Sequence, residues 1–153
     1  MVGIGCALVA SSQNAKHPSL NYPTIECSEL DAKIKAKKSP IILFCGDVSE
    51  KDKRESAYNN KMISGSLSMG SVDAKGEWKN RMKSALSNAK LNNNFSKEIV
   101  VYCGCCSSDN CPNVEPVILE LKKLGYKNVQ GLYFFEGYLP DWAAKKYSEV
   151  PIK

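Results

Sequence analysis

The sequence EIVVYCG at residues 98–104 decides the fold. Its run of apolar residues predicts a strand buried on both faces of a parallel sheet, because such a strand has no solvent-exposed face that needs polar side chains. The sequence IILFC at residues 41–45 has the same character and predicts a second strand of this kind. Two such strands favour an α/β protein.

Helical and strand patterns alternate on either side of these two strands, which predicts βαβ units and a parallel sheet of about five strands flanked by helices on both faces. Ser28 and Asp31 are expected to form a capping box at the start of the first helix. The further elements are predicted as strands at 24–27 and 128–133, a turn leading to a short strand at 62–67, a helix or loop at 49–58, and helices at 29–37, 76–91, 114–124 and from 140.

Residues 1–23 are expected to form an irregular leader and residues 24–153 a single domain. A chain of 153 residues is long enough for one domain with its own core. Within the leader, the apolar residues 2–10 precede a polar stretch, which is similar to the end of a signal peptide that starts upstream. The alternative is a frayed or strand-like terminus of a cytoplasmic protein. A cytoplasmic and an exported or periplasmic location both stay open.

The composition indicates which classes of partner to expect. The sequence is 43% hydrophobic and 24% charged, which is typical of globular domains. No run approaches the ~20 apolar residues of a membrane-spanning helix, so we expect no stable membrane insertion. The net charge is +5, but the lysines are spread over helix-like stretches instead of forming one basic patch. No nucleic-acid partner is therefore expected.

Cysteine is the most informative residue type of the chain. There are seven, and four of them fall within nine positions: Cys103, Cys105, Cys106 and Cys111. A domain of this size needs no disulfides to stabilise its core, so a local cluster indicates reactive or metal-binding thiols. Cys27 and Cys45 lie in predicted strands or at their ends, and we expect them to be small buried side chains. Trp78 and Trp142 are expected to anchor the core.

The C-terminal half of the chain resembles the rhodanese family. The resemblance lies in the strand and cysteine at 98–104, in the sequence LKKLGYKNV at 121–129, and in the closing turn FEGYLPDW at 135–142. The sequence MISGSL at 62–67 is similar, more distantly, to the family's His-Ile-Pro-Gly-Ala-Ile segment. Taken together, the resemblance extends over about residues 25–150.

The resemblance implies a rhodanese-like fold and an enzyme with thiosulfate sulfurtransferase-like activity, whose nucleophile is Cys103. In that mechanism the thiolate takes a sulfane sulfur from a small donor and holds it as a persulfide. It then passes the sulfur to a thiol acceptor or an acceptor protein, and no cofactor is needed. The loop departs from the family because it is longer and contains no arginine or lysine. Phosphatase and arsenate reductase chemistry is therefore not expected, since those sites bind an oxyanion through arginine.

The loop at 103–113 also predicts a reactive thiol from its position alone. A cysteine between the end of a parallel strand and the start of a helix lies where open α/β sheets bind ligands. Backbone N–H groups and the helix dipole lower the pKa of such a thiol. We expect the N–H groups of Gly104, Ser107 and Ser108 to form a substrate cradle, and Asn113 to be the N-cap of the next helix.

The roles of the four thiols stay open. Cys103 is the predicted nucleophile because the sheet fixes its backbone, and Cys106 is its rival because the inserted residues move the centre of the loop. Cys105 and Cys111 are candidate resolving thiols. In the alternatives, the cluster is a thiol–disulfide redox site, all four cysteines bind a soft metal such as zinc or copper(I), or the domain is a non-catalytic module.

Overall fold

The computed structural model describes residues 17–89, 91 and 94–153. In chain order, its strands and longer helices are β1 (Thr24–Glu26), α1 (Cys27–Lys35), β2 (Ile41–Phe44), α2 (Lys51–Tyr58), β3 (Lys61–Ile63), β4 (Ser66–Ser68), α3 (Trp78–Asn88), β5 (Ile99–Tyr102), α4 (Val114–Lys123), β6 (Val129–Tyr133) and β7 (Glu149–Pro151). A 3₁₀ turn at Ser108–Asn110 precedes α4, and a π-helical turn at Leu139–Ala143 follows β6.

The predicted fold class is confirmed. Five strands form one sheet in the order β1-β6-β5-β2-β4, and each neighbouring pair is parallel. The two apolar strands β2 and β5 lie side by side, with Ile41 opposite Ile99. Because β5 is the central strand, the loop that follows it leaves the sheet at the middle of its carboxyl edge. Ligands of open α/β sheets bind at this edge.

Helices cover both faces of this sheet and close a separate apolar core on each. On one face, α3 and α4 pack against the sheet through Trp78, Met82, Leu86, Val117 and Leu121. On the other face, α1, α2 and the π-helical turn contribute Leu30, Tyr58 and Trp142. Burying these large side chains stabilises the fold by about 1.5–3 kcal/mol for each one. The expectation that Trp78 and Trp142 anchor the core is confirmed.

The end of the predicted leader belongs to the packed domain. Residues 17–23 contain no helix or strand, as expected, but Leu20 and Tyr22 are buried in the core beside α4. The ring of Tyr22 fits because Gly131 has no side chain, since a Cβ there would lie 2.5 Å from the Tyr22 ring. The domain boundary predicted at residue 24 is therefore a few residues too late. The possible signal-peptide segment at 2–10 lies outside the described residues.

The predicted capping box of the first helix is wrong. Helix α1 begins at Cys27, and the side chain of its N-cap residue, Glu26, forms no capping hydrogen bond. Asp31 is instead buried and binds a distant part of the chain, because its carboxylate accepts a hydrogen bond of 2.9 Å from the N–H of Ser148. It also pairs with Lys35 at 2.6 Å. Ser148 and Lys35 together provide this buried carboxylate with the polar contacts that a buried charge requires.

A second, antiparallel sheet of two strands is formed by β3 and β7 and is absent from the sequence-based prediction. Residues 62–67 are predicted as a turn that leads to a short strand; the turn at 64–65 and β4 agree with this prediction, but the segment begins inside β3. Each of the two strands has only three residues. Segments this short carry no distinct periodicity, so only their contact with one another identifies them as strands.

We expect Asp31→Ala to lower the free energy of unfolding at neutral pH by about 1–3 kcal/mol, because the N–H of Ser148 loses its acceptor. Burial alone would raise the pKa of Asp31, but the hydrogen bonds from Lys35 and Ser148 outweigh it, so the pKa is lowered. The stabilisation from this charge is therefore present above the unfolded pKa of about 3.9. It is lost as the pH falls through the folded pKa.

Urea denaturation of the Asp31→Ala variant and the wild type at pH 7 and at about pH 3 tests this prediction. The difference in stability should be smaller at the lower pH. Glu55→Ala is the matched control, because Glu55 forms a similar pair within one helix, with Lys51, but on an exposed surface. The free energy of unfolding of Glu55→Ala should differ little from that of the wild type at either pH. An equal loss for Asp31→Ala at both pH values would show that the carboxylate charge does not contribute.

Candidate thiol site

The sheet and a tight turn fix the first cysteine of the loop. Cys103 directly follows β5, and Gly104 then adopts a φ of +80°, a left-handed conformation that favours glycine. A Cβ at Gly104 would lie 2.9 Å from the Cβ of Tyr138, so the turn also needs the absence of a side chain. The carbonyl of Gly104 accepts a hydrogen bond of 2.9 Å from the N–H of Tyr138. Backbone contacts therefore hold Cys103 and Gly104 in place.

Three of the four neighbouring thiols lie together. The Sγ atoms of Cys103, Cys105 and Cys111 are all within 4.8 Å of one another, and we call these three residues the thiol cluster. The Sγ atoms of Cys103 and Cys105 are 3.3 Å apart. Cys106 lies outside the cluster, with its Sγ atom 3.6 Å from that of Cys105. Of the four cysteines that are close in sequence, three form the thiol cluster, and Cys106 adjoins it through Cys105.

The thiols of the loop differ in exposure. Cys103 is 1% exposed, Cys106 and Cys111 are half-buried, and Cys105 is exposed. Cys105 is thus the solvent-facing member of the closest pair. A molecule that approaches from solution meets Cys105 before it reaches Cys103.

Hydrogen-bond donors surround the sulfur of Cys103. They include the thiol of Cys105 at 3.3 Å and that of Cys111 within 4.8 Å, either of which can donate or accept, and the backbone N–H of Cys105. The Nδ2 atom of Asn113 donates at 3.7 Å, and the hydroxyl of Tyr58 lies at 4.0 Å. The hydrogen bond from the Cys105 thiol contributes most to a lowered pKa of Cys103, which the bonds from Cys111 and Asn113 reinforce against burial. The pKa values of Cys105 and Cys111 are raised, because donation to Cys103 requires their protonated forms.

The predicted cradle of N–H groups is corrected at Ser108. Its N–H donates to the carbonyl of Phe134 at 2.9 Å and is therefore not available to a substrate. The Ser108 hydroxyl accepts a hydrogen bond of 2.8 Å from the N–H of Phe134 and donates to the carbonyl of Leu132 at 3.3 Å. Ser108 thus fastens the loop to the end of β6. The N–H roles of Gly104 and Ser107 stay predictions.

Two side chains contact the sulfur of Cys103 in a way that the sequence did not indicate. Asn113 is the N-cap residue of α4, as predicted, but its side chain forms no cap hydrogen bond and donates to Cys103 instead. Tyr58 reaches the sulfur from the end of α2, 45 positions earlier in the chain. Burial raises the pKa of Tyr58, so its hydroxyl stays protonated and can donate. Of these two contacts, only that of Asn113 could have been suspected from the sequence, because Asn113 lies close to the cysteines in the chain.

The remaining described cysteines do not join the site. Cys45 is fully buried, and its thiol donates to the carbonyl of Tyr102 at 3.3 Å. Cys27 is half-buried and donates to the carbonyl of Tyr133 at 3.3 Å. Burial raises the pKa of both thiols, that of Cys27 to about 12, so both stay protonated at neutral pH. The expected burial is confirmed for Cys45 and is partial for Cys27.

Comparison with known proteins bears on the fold alone. The chain matches no protein-family model and no curated protein. It is similar to the crystal structure of the Alr3790 protein from Anabaena sp., with a TM-score of 0.51 and 19% sequence identity over 84% of this chain and 92% of that chain. In the described part of the chain, no helix has the length and apolar character to cross a membrane. Fold and site together define an α/β protein with a thiol cluster at the carboxyl edge of its parallel sheet.

Proposed function

We propose that this chain is a sulfurtransferase-type protein of the rhodanese kind, which forms a persulfide on Cys103 and passes the sulfur to a thiophilic acceptor. The observation that carries the proposal is the set of groups around the Cys103 sulfur that can donate hydrogen bonds, namely the Cys105 thiol at 3.3 Å and the Asn113 amide at 3.7 Å. Such donors stabilise a thiolate, which is the form that attacks sulfur. The site at the carboxyl edge of the sheet supports the proposal, because α/β proteins bind their ligands there.

The proposed reaction uses the thiolate of Cys103 as the only covalent group. The thiolate attacks the outer sulfur of a donor such as thiosulfate, a bond forms between the two sulfurs, and the S–S bond of the donor breaks. Sulfite leaves with the electron pair of that bond, and the negative charge stays on the terminal sulfur of the persulfide. The thiols of Cys105 and Cys111 are close enough to donate hydrogen bonds to this charge.

Release of the sulfur is assigned to Cys105. Cys103 is buried, whereas Cys105 is exposed and its sulfur lies 3.3 Å from that of Cys103. Cys105 passes its proton to the terminal sulfur of the persulfide, and its thiolate then attacks that sulfur; the S–S bond to Cys103 breaks, and Cys103 leaves with the electron pair as a thiolate. The persulfide on Cys105 is then presented to the acceptor. The raised pKa of Cys105 keeps this thiol protonated until Cys103 has reacted, since the Cys103 thiolate is its acceptor.

The intact mass of the reduced protein, measured before and after incubation with thiosulfate under anaerobic conditions, tests the proposal. We expect a gain of one sulfur atom that is lost again when excess thiol is added. Protein whose thiols have first been alkylated is the control and should gain no sulfur. If no sulfane donor, including polysulfide, adds sulfur to the reduced protein, the proposed function is wrong.

A thiol–disulfide redox function is the second candidate, and the short contact between Cys103 and Cys105 favours it. A disulfide between the two requires the sulfurs to approach to about 2.05 Å. In the same mass measurement, mild oxidation would then remove two hydrogen atoms and add no sulfur. Peptide mapping would locate the new bond at Cys103 and Cys105.

A further inference from the structure

We propose that the thiol cluster is a three-coordinate site for trivalent arsenic, taken up as arsenite, in which the sulfurs of Cys103, Cys105 and Cys111 are the ligands. This inference does not depend on persulfide chemistry. It rests on the arrangement of the three sulfurs, on the charge of their surroundings and on the exposure of one of them.

The arrangement of the three sulfurs fits a small thiophilic ion. All three lie within 4.8 Å of one another. With a bond length of about 2.3 Å, as for zinc and thiolate, three sulfurs lie about 4.0 Å apart around a planar centre and about 3.3 Å apart around a right-angled pyramid. The distance of 3.3 Å between Cys103 and Cys105 matches one edge of the pyramid, and Cys111 lies within 4.8 Å of both. Trivalent arsenic has a lone pair and binds three sulfurs as such a pyramid.

The charges of the residues around the three sulfurs favour a trivalent ion over Zn²⁺ or Cu⁺. Among the described residues, no lysine, arginine or histidine side chain forms a hydrogen bond or an ion pair with the three sulfurs. The charged residues nearest to Cys111 in sequence are acidic, namely Asp109 and Glu115. Three thiolates form a neutral complex with trivalent arsenic, but a complex of charge −1 with Zn²⁺ and −2 with Cu⁺. Because burying an uncompensated charge is costly, the neutral complex is favoured.

The uptake reaction needs no further reactant. Arsenite is As(OH)₃ at neutral pH, and it exchanges three As–O bonds for three As–S bonds. Each thiol proton leaves with a hydroxide as water, and no electron is transferred. The exposed Cys105 forms the first bond. The bonds to Cys111 and to the buried Cys103 follow within the same complex and are favoured by proximity.

Native mass spectrometry of the reduced full-length protein with equimolar arsenite tests this site. We expect one arsenic atom per chain, with a mass gain of one arsenic less three hydrogens. Single serine variants of Cys103, Cys105 and Cys111 should each lose at least about tenfold in affinity, because each bond after the first forms at a high effective concentration. Cys106→Ser is the matched control and should bind as the wild type does.

The exposed position of Cys105 keeps the test independent of folding, since Cys105→Ser removes no buried group. Three outcomes would overturn the proposal. Cys105→Ser could bind arsenite with wild-type affinity, Cys106→Ser could lose as much affinity for arsenite as the cluster variants, or equimolar Zn²⁺ could displace arsenite. Phenylarsine oxide, which has only two bonds free for sulfur, should lose less affinity than arsenite in the Cys111→Ser variant. Because arsenite binding is measured without a sulfur donor, its failure and the failure of persulfide formation are distinguishable.

Discussion

Cys103→Ser should abolish persulfide formation completely. A serine hydroxyl keeps the volume and the place of the thiol, but at neutral pH it is neither ionised nor a nucleophile toward sulfur. The loss of the Cys103 thiolate also removes the acceptor to which Cys105 and Asn113 donate. Single-turnover incubation with thiosulfate, followed by trapping with iodoacetamide and peptide mass mapping, gives the fraction of persulfide on each cysteine.

The other serine variants separate the roles of the remaining thiols. Cys105→Ser should still form the Cys103 persulfide but release its sulfur slowly, because the exposed thiol that takes the sulfur from Cys103 is missing. Cys111→Ser should leave formation largely intact and change the rate of release. Cys106→Ser should behave as the wild type, since Cys106 lies outside the cluster. Persulfide that persists in Cys103→Ser and is absent from Cys106→Ser would move the nucleophile to Cys106.

Gly104→Ala should strongly destabilise the fold. The left-handed conformation of Gly104 costs an alanine about 1–2 kcal/mol, and the added Cβ would lie 2.9 Å from the Cβ of Tyr138. Relief of that overlap costs about 1–3 kcal/mol more. We therefore expect the free energy of unfolding to fall by about 2–5 kcal/mol, measured by urea denaturation. Because the turn also sets the Cys103–Cys105 distance, the yield of persulfide should fall as well.

Gly65→Ala is the control for this prediction. Gly65 has nearly the same φ, +83°, but no atom lies within 4 Å of the position of an added Cβ. An alanine there has the backbone strain without the overlap, so Gly65→Ala should be destabilised by only about 1–2 kcal/mol. Equal losses at the two glycines would show that Tyr138 moves aside freely and that Gly104 is needed only for its conformation.

The candidate site was predictable in position and less so in composition. The sequence places a cysteine directly after a buried strand and before a helix, and the structure has Cys103 there. The sequence does not show which of the four nearby thiols group together, and in the structure three of them lie within 4.8 Å of one another. The contacts of Ser108 with Phe134 and of Asn113 with Cys103 select this arrangement. No local pattern encodes such contacts, because they depend on where β6 ends beside the loop.

By itself, the sequence determined the α/β class, the parallel strands and the location of the thiols. These features follow from local apolar periodicity and from the rule that fully apolar strands need covering helices. Only the tertiary structure decided which thiols meet, that Asp31 binds Ser148 instead of capping a helix, that Tyr22 packs over Gly131, and that β3 pairs with β7. Each of these is a contact between residues far apart in the chain, and its stability comes from burial and hydrogen bonding that exist only after the sheet has formed.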